Sequence, residues 1–341
     1  MIEVTDLTKR YGNTTAVDGL SFRVRPGLVT GFLGPNGAGK STTMRMMLGL
    51  DRPTAGEVRI GGAPYRQLRD PLRTVGALLD AGAVHPGRTA LNHLRCLARS
   101  NRIPARRVHE VIELAGLEGA AHRRAGSFSL GMGQRLGIAA ALLGEPAVVV
   151  LDEPVNGLDP EGVLWIRRLL RGLAAEGRTV LMSSHLMGEA ALTVDHLVVI
   201  GRGRLLADTG MTTFIDEHTE AGVRVRTPEP ERLRDVLAGA GIEVADCADG
   251  SLRASTGAER VGELVAAHAV PVHEVTRTHA SLEEAFMRLT ADAVEYRSER
   301  PGVDRPGTKQ PVTEKPDTEQ SEAEQSEAEQ SGGAQSGGAH R

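Results

Sequence analysis

The residues Gly34, Pro35, Asn36, Gly37, Ala38, Gly39, Lys40, Ser41 and Thr42 read GPNGAGKST, filling every fixed position of the GxxxxGK[ST] pattern. That pattern is the mark of a nucleoside triphosphate site. Its glycines let the main-chain amides curl around a β-phosphate, its lysine reaches the β- and γ-phosphates, and its serine hydroxyl can ligate magnesium. Lys40 and Ser41 take those two positions, Thr43 extends the segment, and ATP with Mg2+ is the expected cofactor pair. A second constellation follows at VVVLDEP, Val148 to Pro154. Four apolar residues ending in an acid suit a buried strand that stops at the phosphates. Asp152 is then placed to hold magnesium through water, and Glu153 to orient or deprotonate an attacking water. An LDE triplet alone carries little information; its position downstream of the phosphate loop is what gives it meaning.

Three further segments bear on the same chemistry. FSLGMGQRLGIAAALL, from Phe128, reads as a small polar turn opening a long helix whose N-terminal amides could meet an anion. Taken by itself it is equally well a capped helix. SSH, Ser183 to His185, follows a short strand at Thr179 to Met182, and GLDP occupies Gly157 to Pro160. A lone histidine after a strand is more often structural than catalytic, and an isolated Tyr11 more often core or surface than ligand-binding.

Positioning these groups requires an α/β domain. Short β-rich pieces (Ile2 to Leu7, Ser21 to Val24, Glu57 to Ile60) flank the apolar run LVTGFL and a helix from about Lys40 to Leu50. From about Arg88 to Leu143 strands give way to helical periodicity before strands return at Ala147 and Thr179, which reads as a helical insertion, about 86–145, between two halves of one sheet. The first domain spans 1–213, with the break near Phe214. Beyond it the order strand, helix, strand, strand, helix, strand (Val223 to Arg226 through Val272 to Val275) is that of a ferredoxin-like α+β domain over 214–295. The last stretch, 296–341, repeats EAEQS at Glu322 and Glu327, lacks core-forming residues and reads as a disordered acidic tail.

Composition closes off several classes. The chain has 341 residues and is 40% apolar and 25% charged, an ordinary globular balance. Residues from Pro301 onward carry eight acids and four bases, a sum of −4 that equals the whole-chain charge, so residues 1–300 are balanced and show no basic excess for nucleic acid. No apolar run is long enough to cross a bilayer, and the N-terminus lacks the charged start and apolar core of a signal peptide. Cys96 and Cys247 fit no metal spacing and read as reduced thiols.

Taken in order, these motifs over about residues 2–210 resemble those of the ATP-binding cassette (ABC) ATPases. The family signature LSGGQ is matched by Phe128, Ser129, Leu130, Gly131 and Met132, with Leu130 and Met132 departing from it. The resemblance implies that Ser129 and Gly131 touch the γ-phosphate held by the opposite subunit. It implies that Tyr11 stacks on adenine with Val17 beside it, that Asp159 links the two ATP sites, and that His185 contacts the γ-phosphate and holds Glu153. Where the family has a magnesium-binding glutamine, this chain reads VGALLDAG, which leaves Asp80 as the nearest polar candidate. HPGRTALNHL at His85 and SLEEAFMRLT at Ser281 are similar to the branch of daunorubicin-resistance and lantibiotic-resistance exporters. The resemblance further implies the P-loop ABC ATPase fold, with an antiparallel β-subdomain and a helical insertion. It implies a homodimer of ATPase subunits on ATP binding and a separately encoded integral membrane permease as partner, with the chain peripheral on the cytoplasmic face and exporting an antibiotic, peptide or other hydrophobic compound. Two other readings are a soluble cassette ATPase not coupled to transport, and a regulatory subunit that binds nucleotide without turning over.

Overall fold

The computed structural model describes residues 1–185, 187–218, 221–247, 249–279 and 282–290. The expected tail, 296–341, lies outside the described residues. Among the described residues the first nine strands are β1 (Ile2–Tyr11), β2 (Thr14–Val24), β3 (Val29–Leu33), β4 (Ala55–Ile60), β5 (Val75–Leu78), β6 (Val148–Leu151), β7 (Thr179–Ser184), β8 (His196–Gly201) and β9 (Arg204–Gly210). They form an antiparallel sheet ordered β2-β1-β4 and a six-stranded sheet ordered β5-β6-β7-β3-β8-β9. The first five strands of the larger sheet are parallel and β9 is antiparallel to β8.

Strands β3 and β6 are buried along their whole length, which suits their mostly apolar residues. Successive side chains of a strand point to opposite faces, so each run divides between two cores. Val148 and Val150 join Phe32, Met44, Met47 and the antiparallel sheet in one core. Val149 and Leu151 join the helical side in the other, with Leu33, Val180 and Met182. On that second side lie the helices Ala90–Ser100, Ala105–Leu114 and Leu130–Leu142, inserted in the chain between β5 and β6. Their buried residues recur at helical spacing, Leu91, Leu94 and Ala98 on the first and Val108, Val111 and Ile112 on the second. The first is capped by Thr89, whose hydroxyl accepts from the Asn92 amide at 3.2 Å.

The remaining strands are β10 (Ala221–Arg226), β11 (Val244–Asp246), β12 (Leu252–Ala254) and β13 (Glu274–His279), with the helices Pro230–Gly239 and Ala258–Ala267 between them. The sheet order β11-β12-β10-β13, antiparallel throughout, is the split βαβ arrangement. It has its own core of Val223, Val225, Leu233, Leu237, Leu252 and Val261. The sequence break at Phe214 differs from the structure. Phe214 is inside the helix Met211–His218, and its fully buried ring belongs to the core between the larger sheet and the inserted helices. The helix Leu282–Thr290, read from sequence as part of the second domain, also returns to that core through Ala285 and Phe286 and packs on the helices Met187–Ala191 and Met211–His218.

Candidate nucleotide-binding site

Sheet register brings residues far apart in sequence to one edge. Leu33 at the end of β3 pairs with Ser184 of β7, and Leu151 at the end of β6 pairs with Met182. The residues that follow, Gly34, Asp152 and His185, therefore emerge together at the carboxyl ends of three adjacent parallel strands, where open α/β sheets bind ligands. There they meet the N-terminus of the helix Lys40–Met47, whose first amides carry partial positive charge. A cleft of about 310 Å³ opens at this place, lined by Ala16, Asn36, Gly37, Ala38, Gly39, Lys40, Ser41, Thr42, Asp152 and Glu153.

The loop is held tightly. Gly39 has φ +100°, and a Cβ on it would lie 2.5 Å from the Ala16 carbonyl oxygen, so both backbone conformation and space require glycine. Lys40 is 7% exposed and its ammonium donates to the carbonyls of Gly34 at 2.6 Å and Pro35 at 3.2 Å. Burial pushes its pKa below the usual lysine value, while the carboxylates of Glu153 and Asp152 oppose the shift. Lys40 Nζ stands 4.0 Å from Glu153 Oε1.

The carboxylates are individually fixed. Asp152 Oδ2 accepts from the Ser41 hydroxyl at 2.7 Å, and its Oδ1 accepts from Ser183 Oγ. The Ser183 oxygen in turn accepts the Glu153 amide at 2.8 Å. Glu153 Oε2 is 2.9 Å from His185 Nδ1, and with that nitrogen protonated the imidazole donates to the carboxylate. Glu153 also has φ +48°, in the left-handed region that a non-glycine residue rarely adopts, so its backbone is strained at the point where its side chain enters the cleft. Its carbonyl accepts from the Asn156 amide at 3.2 Å and from Gln134 Nε2 at 3.1 Å.

The hydroxyl of Ser41 and the carboxylate of Asp152 are hard oxygen donors within hydrogen-bond distance of each other, which fits Mg2+. Among the described residues no group of three or more His, Cys, Asp or Glu could hold a metal ion.

Other expected residues stand elsewhere. Thr43 is buried and its hydroxyl donates to the Gly39 carbonyl at 2.9 Å, bracing the loop from behind. Val17 is fully buried, under Gly39 rather than open to a base. Tyr11 is 49% exposed at the end of β1; its hydroxyl donates to Asp51 at 3.1 Å and the Lys9 ammonium lies over its ring. Asp80 is exposed and accepts from the Gly82 amide at 2.7 Å, and it does not line the cleft. Ser129 and Asp159 act within the chain as helix N-caps, accepting from Met132 N at 3.3 Å and Gly162 N at 2.8 Å. Gly131 lies against Gly157, where an added Cβ would be 2.8 Å from the carbonyl oxygen. Ser183, Gln134 and Ala16 belong to the site and carried no role in the sequence reading. Only Ser183 had a signal, its place in SSH.

A sheet of this order with a phosphate loop, a carboxylate pair and a histidine at its carboxyl edge defines a P-loop ATPase of the cassette type. The ABC transporter family model matches residues 17–156, and a domain of unknown function, DUF8746, matches residues 221–283. The chain is 43% identical over 211 residues to the bacitracin transport ATP-binding protein BcrA of Bacillus licheniformis, covering 61% of this chain and 69% of that protein. It is 34% identical to an uncharacterized ABC transporter ATP-binding protein of Bacillus subtilis (strain 168), across 86% of this chain and 97% of the relative. A Nod factor export ATP-binding protein I of Paraburkholderia xenovorans is 40% identical over 70% of this chain and 80% of its own length. Among solved structures, an ATP-binding subunit of an ABC transporter superposes with TM-score 0.59 at 28% identity, over 64% of this chain and 92% of that one. A dimeric bacterial ABC transporter cassette does so with TM-score 0.57 at 27% identity, over 62% and 99%. The chain belongs to the ABC transporter ATP-binding proteins: it is an ATP-hydrolysing subunit that energises transport.

Proposed function

We propose that Glu153 is the general base of ATP hydrolysis, held by His185, and that the chain delivers the cycle to a separately encoded membrane permease. The observation that carries this reading is the contact of Glu153 with His185 Nδ1 at 2.9 Å and with the Lys40 ammonium at 4.0 Å, at the mouth of the phosphate loop. A carboxylate so placed can take a proton from a water that attacks a γ-phosphate lying over Lys40. Lys40 binds and neutralises the β- and γ-phosphates; the loop 34–42 contributes its main-chain amides; Thr43 and Val17 support that loop. Ser41 and Asp152 would hold Mg2+, which would supply neutralising positive charge to the phosphates. Asp80 would reach that metal only by leaving the Gly82 amide.

Ser129 and Gly131 open a helix whose positive N-terminal end suits an anion, and in this chain they stand apart from the cleft lining. Their use requires a second copy that presents its own cleft, so ATP binding closes a homodimer, with Asp159 at the seam and Tyr11 turning to the adenine. No described helix is long and apolar enough to cross a membrane. The family resemblance supports action from the cytoplasmic face through that partner, and the names of the bacitracin transport and Nod factor export relatives favour export of an antibiotic, peptide or other hydrophobic compound. The test is to tag the chain in its host, extract membranes in mild detergent, and measure ATPase activity in what copurifies. A polytopic protein recovered with the activity supports this reading; activity recovered only from the soluble fraction overturns it.

A further inference from the structure

The strained backbone of Glu153, at φ +48°, is fixed from both sides. Its amide is taken by Ser183 Oγ at 2.8 Å, from β7. Its carbonyl is taken from the other side by Gln134 Nε2 at 3.1 Å, together with the Asn156 amide of its own turn. Gln134 is 4% exposed, on the helix Leu130–Leu142 that Ser129 caps. A buried primary amide in a helix interior is unfavourable unless a partner satisfies it, and here the partner is the residue proposed as base.

The same helix is locked to this region at two more points. Gly137 packs on β5, where a Cβ would lie 2.5 Å from Leu78 Cδ1. Near its start, Leu130 covers Gly157 so closely that a Cβ there would overlap the leucine side chain. Leu130 is nonetheless 67% exposed, so the start of the helix contacts the Gly157 turn while standing open to a second molecule.

We propose that Gln134 is a positioning residue for Glu153. Its amide holds the carbonyl of the strained residue and so ties the aim of the carboxylate to the seating of the helix that begins at Ser129. A shift of that helix on contact with a second copy is then felt at the Glu153 backbone through this hydrogen bond, beside the helix's packing on β5. This inference rests on the reading of Glu153 as base.

The test uses the full chain with Gln134→Met, which conserves volume and removes the donor, and Gln134→Asn, which keeps an amide but falls one methylene short. Steady-state ATP hydrolysis, ATP-dependent dimerisation and thermal midpoint are measured beside Glu153→Gln. The expected result is a fall in kcat of about tenfold in both variants, the scale of one lost hydrogen bond to a reacting group's support, with KM and dimerisation within about twofold of the original chain. If either variant fails to fold, the other decides. Wild-type kcat in a folded variant, or a rise in KM matching the loss in kcat, overturns the proposal. Should Glu153→Gln itself turn over at the original rate, it is the base assignment that has failed; an inactive Glu153→Gln beside a fully active Gln134→Met condemns only the role of Gln134.

Discussion

Replacing Ser183 with alanine isolates one oxygen that serves two carboxylate-bearing residues. Ser183 is completely buried, and its hydroxyl donates to Asp152 Oδ1 while accepting the Glu153 amide at 2.8 Å. Alanine leaves a part-buried N–H without its acceptor, which costs about 1–3 kcal/mol, and removes a hydrogen bond to a carboxylate worth about 1.5–3 kcal/mol. The two losses share one atom and are not additive, so the net destabilisation is about 3 kcal/mol. In a folding unit of about 200 residues, the size of the domain that holds Ser183, that lowers the thermal midpoint by roughly 6–12 °C. The single tryptophan, Trp165, gives a convenient reporter: its indole N–H donates to the Leu114 carbonyl at 2.9 Å and the Arg135 guanidinium lies 4.6 Å from its ring centroid. Melting followed by Trp165 fluorescence should show the shift, and hydrolysis at a temperature where the variant is folded should fall because the Glu153 backbone is freed. A midpoint lowered by less than about 2 °C, with kcat unchanged, would refute the reasoning.

Gly39→Ala should destabilise the fold by about 2 kcal/mol and abolish nucleotide binding, because its φ of +100° and the Ala16 carbonyl both exclude a side chain; a fluorescent-nucleotide titration checks this. Burial holds the Lys40 pKa below the ordinary value of 10.5, and a triphosphate brings charge that raises it, so binding at alkaline pH should take up protons. Calorimetry in two buffers of different ionisation enthalpy reads this uptake, and Lys40→Met should show none. In the C-terminal domain, Asp249 is held down to about 2 by hydrogen bonds from Ser251 first and by Arg226 and Arg224 next. Its contribution to stability should be complete above the ordinary value of 3.8 and vanish as pH falls through about 2, and Asp249→Asn should lose that part of the acid transition.

What could be read in the sequence followed from chemistry at fixed spacing. The phosphate loop and the Asp152–Glu153 pair announce themselves because only certain residues at those intervals can hold phosphates, and the sheet register then joins segments more than a hundred positions apart. Element ends were less legible. The helix expected to reach Leu50 stops at Met47, since Gly49 adopts φ +65°. The first strand runs on to Tyr11 past bulges that break its alternation. The strands β5, β8 and β9 are not legible in the sequence, the first because four residues give too short a pattern to separate strand from helix. Gln134 was invisible for a different reason. A polar residue in a helix next to glycines gives no sign that it is buried, and only the tertiary approach of Glu153 reveals its partner. Asp80 was chosen as the nearest polar residue in place of a glutamine, whereas its short carboxylate turns to the Gly82 amide in its own loop.

The most direct test of the account is Glu153→Gln in the full chain, which removes the proton acceptor while keeping the shape that meets His185. Multiple-turnover hydrolysis should fall by at least about a hundredfold, while ATP binding persists and the ATP-bound dimer accumulates. Turnover at the original rate would contradict the assignment of the base and with it the catalytic reading of the cluster around Lys40, Asp152 and His185.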